Sequence, residues 1–139
     1  MKKYSGIFPA MQLPFNNDYS VDDEELKRFS NWLAGHEGVN GIVTNGHTGE
    51  IFALTPKERA EVTGKVVNAV NGKVPIFSGL AAEGFKEAIE HAKMIKDIGA
   101  TGLLVMPPHH WLLFGMTHGD VMHYFTELGK NTELDLIVH

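Results

Sequence analysis

The chain has 139 residues, 43% hydrophobic and 21% charged, and its 17 Asp plus Glu against 12 Lys plus Arg leave a formal charge of -5. That length suits one domain, and the acidic balance argues against a nucleic-acid partner, whose phosphates call for concentrated positive charge. Cysteine is absent, which excludes disulfides, thiolate catalysis and cysteine metal sites.

The basic opening Met1-Lys2-Lys3-Tyr4 leads into no signal-like apolar core, because Pro9, Gln12, Pro14 and Asn16 interrupt it. No run reaches transmembrane length, so no membrane partner is expected and a cytoplasmic setting is. Gly6 to Leu13 reads as a first strand, followed by the polar loop Asn16-Asn17-Asp18. Asp22 caps a helix, with Glu25 at the capping-box position. Leu26, Phe29, Trp32 and Leu33 form its apolar face. Val39 to Asn45 reads as a second strand, and Gly46-His47-Thr48-Gly49-Glu50 follows it directly.

Thr55-Pro56-Lys57-Glu58 is the strongest helix start, with a capping threonine, proline at N1 and glutamate closing the box. Val62, Val66, Val67 and Val70 are its buried stripe, and Asn71-Gly72 ends it. Val74 to Ser78 is expected as a third strand and Phe85 to Ile98 as a third helix. Gly102 to Met106 follows as a fourth strand, cut off by Pro107-Pro108. Asp120 to Gly129 reads as a fourth helix and Leu134 to His139 as a fifth strand.

Strands recurring near 40, 74, 101 and 134 suit a repeated βα unit, and their nearly continuous apolar runs predict a parallel sheet covered by helices. Five strands and four helices are expected, without a linker or second domain. By count alone an open doubly wound sheet accommodates them, since a complete barrel takes roughly 250 residues. In either arrangement ligands bind beyond the carboxyl ends of the strands. His47, His110 and His139 each follow such an end. The glycines of the 46–50 turn allow a tight bend that exposes N–H groups to an anion, although the turn lacks the spacing of a Walker loop or a dinucleotide fingerprint.

Several segments together resemble the dihydrodipicolinate synthase/N-acetylneuraminate lyase family. They are Gly6-Ile7-Phe8-Pro9-Ala10 through Pro14-Phe15, the 46–50 turn, Leu54-Thr55 with Glu58-Arg59, and Val74-Pro75-Ile76-Phe77-Ser78-Gly79. Ala92, Gly99-Ala100, Gly102 and Met106-Pro107-Pro108 complete the set. The resemblance implies a TIM (β/α)8 barrel, of which residues 1–139 supply the N-terminal part of a single catalytic domain, about the first five strands and four helices. It implies a lyase or aldolase that forms a Schiff base between a lysine and pyruvate or another 2-oxo acid. The enzyme then makes or breaks a carbon-carbon bond with an aldehyde partner, or dehydrates a sugar acid. No catalytic metal or other cofactor is implied, and a homodimer or homotetramer is expected.

Carried over residue by residue, the family's Gly-Thr-Thr-Gly-Glu turn falls on residues 46 to 50. Gly46, Thr48 and Gly49 would then bind the substrate carboxylate, with Thr44 either lining the inner wall or packing. His47 replaces the first threonine of the family's hydroxyl relay. His110 stands at the relay tyrosine that is supplied across the dimer interface, and His139 at the tyrosine that moves protons beside the Schiff base. A relay of Thr, Tyr and Tyr thus becomes one of three histidines, which can still give and accept protons near neutrality. Lysine biosynthesis is not the expected role.

The family's Schiff-base lysine is expected beyond residue 139, because Lys57, Lys65, Lys73, Lys86, Lys93, Lys96 and Lys130 all lie in predicted helices or their margins. The chain is therefore expected to be the front part of a longer product rather than a natural half-barrel. Two alternatives come from other classes: a three-histidine metal-dependent lyase or hydrolase, and a non-catalytic oligomeric sugar-acid-binding fragment. Glu50 is expected as a buried partner that fixes the turn. His36, His91, His118 and His123 are expected on solvated faces, with His109 pointing elsewhere than His110. The apolar loop Trp111 to Phe114 is expected to be covered by a partner.

Overall fold

A computed structural model describes residues 4–139, so the basic opening at 1–3 lies outside the described residues. Four parallel strands form one sheet in the order β1-β2-β3-β4. They are β1 (Ile42–Thr44), β2 (Ile76–Leu80), β3 (Gly102–Val105) and β4 (Asp135–Val138). Between them run helices α1 (Asp23–Gly35), α2 (Pro56–Val70), α3 (Phe85–Asp97), α4 (His110–Phe114) and α5 (His118–Asn131), with a short 3-10 turn at Ile51–Ala53.

Among the described residues, the expected five strands and four helices are corrected to four and five. The backbone of Gly6 to Leu13 pairs with the sheet through isolated parallel bridges, Ile7 to Val39 and Ala10 to Val43, and not as a named strand. Pro9 interrupts that stretch and has no N–H to donate to a ladder, although its carbonyl accepts from Val43 N–H at 2.9 Å. The extra helix is α4, formed by the segment read as an apolar loop.

Helix boundaries follow their caps. Thr55 and Glu58 complete a reciprocal box at the start of α2. At α1 only half of the expected box forms. Asp22 Oδ1 accepts from Glu25 N–H at 2.9 Å, whereas the Glu25 carboxylate accepts from Arg28.

The sheet has two unlike faces. On the helix side, Ile42 and Ile76 pack with Leu26, Leu33, Val62, Val66 and Val70 of α1 and α2. Leu80, Leu103 and Val105 pack with Ala88, Ala92, Ile95 and Leu128 of α3 and α5. On the opposite face Phe77 pairs in register with Gly102, and Gly102 with Asp135. A methyl group on Gly102 would fall 2.5 Å from the Phe77 ring, so the missing side chain is what admits the phenyl group. Tyr4 and Phe8 pack edge-on against Phe77, and Tyr4 Oη donates to Asp135 Oδ2 at 2.6 Å. This aromatic floor lies at one end of the face; the turns carrying the histidines lie at the other. Among the described residues no helix is long and apolar enough to cross a membrane.

Candidate functional site

The turn after β1 owes its shape to Asn45, expected as the last residue of the second strand but standing just beyond it, since β1 ends at Thr44. It adopts φ 51°, a left-handed conformation that asparagine tolerates better than most residues. Its buried Nδ2 lies 2.8 Å from Arg59 O, 2.9 Å from Thr63 Oγ1 and 3.0 Å from Ser78 Oγ. Its backbone crosses directly over β2, where a Cβ on Gly79 would sit 1.8 Å from Asn45 O. The Asn-Gly pair at 45–46 was the available sequence signal for this bend.

Thr44 belongs to the same buried polar group. Its Oγ1 is 2.8 Å from Thr63 Oγ1 on α2, which places it on the helix side of the sheet. Of the two positions left open for Thr44, packing rather than lining the wall is the one the structure adopts.

Within the 46–50 turn, Gly46 O accepts from Gly49 N–H at 3.0 Å and from Ile51 N–H at 3.4 Å, and His47 O accepts from Glu50 N–H at 3.0 Å. Among the described residues, the N–H groups of His47 and Thr48 make no such bond, which leaves two adjacent donors beside the Thr48 hydroxyl. Thr48 borders a depression of about 430 Å³ with Gln12, Leu13, Pro14, Glu25, Phe29 and Glu50. Gly46 and Gly49 are buried. Glu50 is exposed at φ 54°, so the buried partner expected there is corrected.

Arg59 holds the far end of this turn. From the first turn of α2 its Nε donates to Ile51 O at 3.0 Å and Leu54 O at 3.1 Å, and its Nη1 to Ala81 O at 3.1 Å. The side chain is buried, and burial lowers the guanidinium pKa from its ordinary value. One residue therefore ties the loop after β1 to the loop after β2.

Three imidazoles meet above the strand ends: His47 and His139 of the expected residues, with His109 beside His47. His47 lies 5.9 Å from His109 and 5.9 Å from His139 between ring centroids, and Phe52 lies 4.5 Å from His109. His139 is placed by the sheet, through its N–H to Val105 O at 2.9 Å. His110 turns away, with Nδ1 2.7 Å from Glu83 Oε2. Adjacent residues do diverge here, and His109 rather than His110 joins His47 and His139 within the chain. Among the described residues, no three His, Cys, Asp or Glu side chains form a group able to hold a metal ion. The three-histidine metal alternative thus finds no ligand set in this arrangement.

Glu83, after β2, accepts from His109 N–H at 2.9 Å and from His110 N–H at 3.0 Å. The His110 backbone N–H, foremost, and its ring hold the Glu83 carboxyl below the usual carboxylate range. His91, expected on a solvated face, is instead buried, with neither ring nitrogen hydrogen-bonded. Desolvation and the nearby Arg59 charge push its pKa down to about 4. Trp111 is half-buried and packs edge-on against Tyr124, while Leu112, Leu113 and Phe114 are 82%, 80% and 83% exposed.

The sequence profile described as the dihydrodipicolinate synthetase family matches residues 3–139. The 4-hydroxy-tetrahydrodipicolinate synthase of Methanococcus vannielii is 40% identical over 105 residues, 76% of this chain and 36% of that protein. A crystal structure of a dihydrodipicolinate synthase superposes with TM-score 0.87 at 32% identity, covering 96% of this chain and 44% of that one. The N-acetylneuraminate lyase of Mycoplasma synoviae superposes with TM-score 0.84 at 26% identity, covering 97% of this chain and 46% of that one. The chain thus spans less than half the length of these relatives.

Proposed function

Because the chain belongs to the dihydrodipicolinate synthetase family, we propose that it supplies the carboxylate-binding and proton-transfer side of a Schiff-base lyase or aldolase acting on pyruvate or another 2-oxo acid. The observation that carries this reading is the convergence of His47, His109 and His139 from the loops after β1 and β3 and the end of β4. A parallel sheet presents ligands at that end, and neutral and protonated imidazoles both exist near pH 7. The Thr48 hydroxyl and the N–H groups of His47 and Thr48 form the carboxylate-binding element, with Gly46 and Gly49 shaping the turn. His47 and His139 hold and move the proton beside the reacting carbon, and His110 serves the neighbouring subunit.

The lysine nucleophile is supplied by sequence outside these 139 residues. Its amine adds to the ketone carbon of the 2-oxo acid and water leaves, giving an imine that stabilises a carbanion at the next carbon. That carbon then joins an aldehyde or parts from one. A homodimer or homotetramer is part of this reading, with the exposed Leu112, Leu113 and Phe114 at the contact.

Borohydride trapping with pyruvate tests the proposal. A polypeptide carrying this chain and extending to the relatives' length should gain the irreversible mass of one reduced pyruvate adduct, whereas the 139 residues alone should not. An extended polypeptide that binds pyruvate without a trapped adduct would overturn the imine.

A further inference from the structure

Met106 closes β3 by donating its N–H to Leu80 O at 2.9 Å, and Pro107 and Pro108, which follow it, have no N–H to donate. The next backbone donors are therefore those of His109 and His110, and both go to one carboxylate. Glu83 Oε1 accepts from His109 N–H at 2.9 Å, and Glu83 Oε2 from His110 N–H at 3.0 Å. The His110 ring closes the arrangement with Nδ1 2.7 Å from the same Oε2.

With its ring tied down beside Glu83, His110 is held apart from the cluster, while His109 lies 4.5 Å from Phe52 and 5.9 Å from His47. Glu83 itself stands two residues beyond Ala81, whose carbonyl Arg59 pins at 3.1 Å. The carboxylate is thus the last link of a chain from α2 through the loop after β2 to the loop after β3.

We propose that Glu83 is a positioning residue of this site: its carboxylate grips the His109-His110 backbone so that the His109 ring joins His47 and Phe52 and the His110 ring is withheld. The inference rests on the functional reading above, which makes the histidine cluster the site. Glu83 touches no reacting atom in this scheme; it selects which of two neighbouring imidazoles joins His47 and Phe52 within the chain. A glutamine has the same shape but offers one acceptor oxygen and sets an amide donor against the second N–H, so it cannot reproduce the double grip.

The titratable groups around Glu83 are His109 and His110, with Asp120, His123 and Tyr124 of α5 bordering the same depression. Of these, His110 holds the Glu83 carboxyl below its ordinary range, so the grip persists to mildly acidic pH and releases only when that carboxylate protonates.

The test uses a polypeptide carrying these 139 residues, as wild type and Glu83→Gln, observed by NMR. In the variant, amide exchange at His109 and His110 should accelerate by about tenfold or more, and ring contacts between His109 and Phe52 should vanish. Exchange at Leu103 and Val105 in β3 should remain as in the wild type. In the wild type, protection at His109 and His110 should be lost in one step below the ordinary carboxylate range; that readout needs no variant and would not follow from loop packing alone. Unchanged exchange and ring contacts in Glu83→Gln, or wild-type protection that does not respond to acid, would overturn the inference. A failed pyruvate trap with these NMR changes intact would count against the imine reading and leave the grip standing.

Discussion

Replacing Arg59 by methionine removes a guanidinium while keeping most of the aliphatic stem. Three carbonyls, those of Ile51, Leu54 and Ala81, then lose the donors that reach them at 3.0, 3.1 and 3.1 Å. A buried acceptor left without a partner costs about 1–3 kcal/mol. The three losses do not add fully, because Ile51 O keeps the Leu54 N–H at 3.3 Å, because the loops relax together and because removing a desolvated charge relieves part of the cost. A net destabilisation of about 2–5 kcal/mol is expected, a large share of the roughly 5–15 kcal/mol that holds a domain folded. Urea denaturation of wild type and variant at neutral pH measures it, and amide exchange at Ala53 and Leu54 shows where the loss falls. Arg59→Lys should recover only part, since a single ammonium cannot span carbonyls on two loops. A change below about 1 kcal/mol, or exchange unchanged across 51–54, would refute the account of Arg59 as the tie between the loops after β1 and β2.

Other consequences are equally direct. Gly79→Ala places a methyl group against Asn45 O and should cost about 1–3 kcal/mol or more by overpacking, read as a lower urea midpoint. His91 has its native pKa depressed to about 4 from 6.5, so the unfolded chain binds the extra proton first. Stability is full above the unfolded value and falls as pH drops towards 4, by on the order of 3 kcal/mol. His91→Leu should flatten that limb of the stability–pH curve, and an unchanged slope between pH 6.5 and 4 would contradict it. Thr55→Ala removes one half of the box that starts α2 and should cost about 0.5–2 kcal/mol in the same urea assay. In a polypeptide extended to the family's length, His139→Phe should lower turnover roughly 100- to 10,000-fold while borohydride still traps pyruvate; undiminished turnover would remove His139 from proton transfer.

The sequence was enough to order the elements, because their signals are local. Thr55-Pro56 and Glu58 satisfy orphan N–H groups within one turn, so the start of α2 could be named to the residue. The spacing of Val62, Val66 and Val70 likewise fixed which face of α2 is buried. The convergence of His47 and His139 could be anticipated because both follow parallel strands. What only tertiary structure decided were the choices resting on partners distant in the chain. Asp22 capped as expected, but Arg28 took the Glu25 carboxylate. The 6–13 stretch lost its strand character at Pro9. Thr44 turned towards Thr63 on α2, and His91 was buried although its helix looked polar there. The choice between His109 and His110 lies furthest from local reach. Neighbouring residues with identical side chains have no local property that separates their roles, and a carboxylate 26 positions from His109 makes the distinction by gripping both amides.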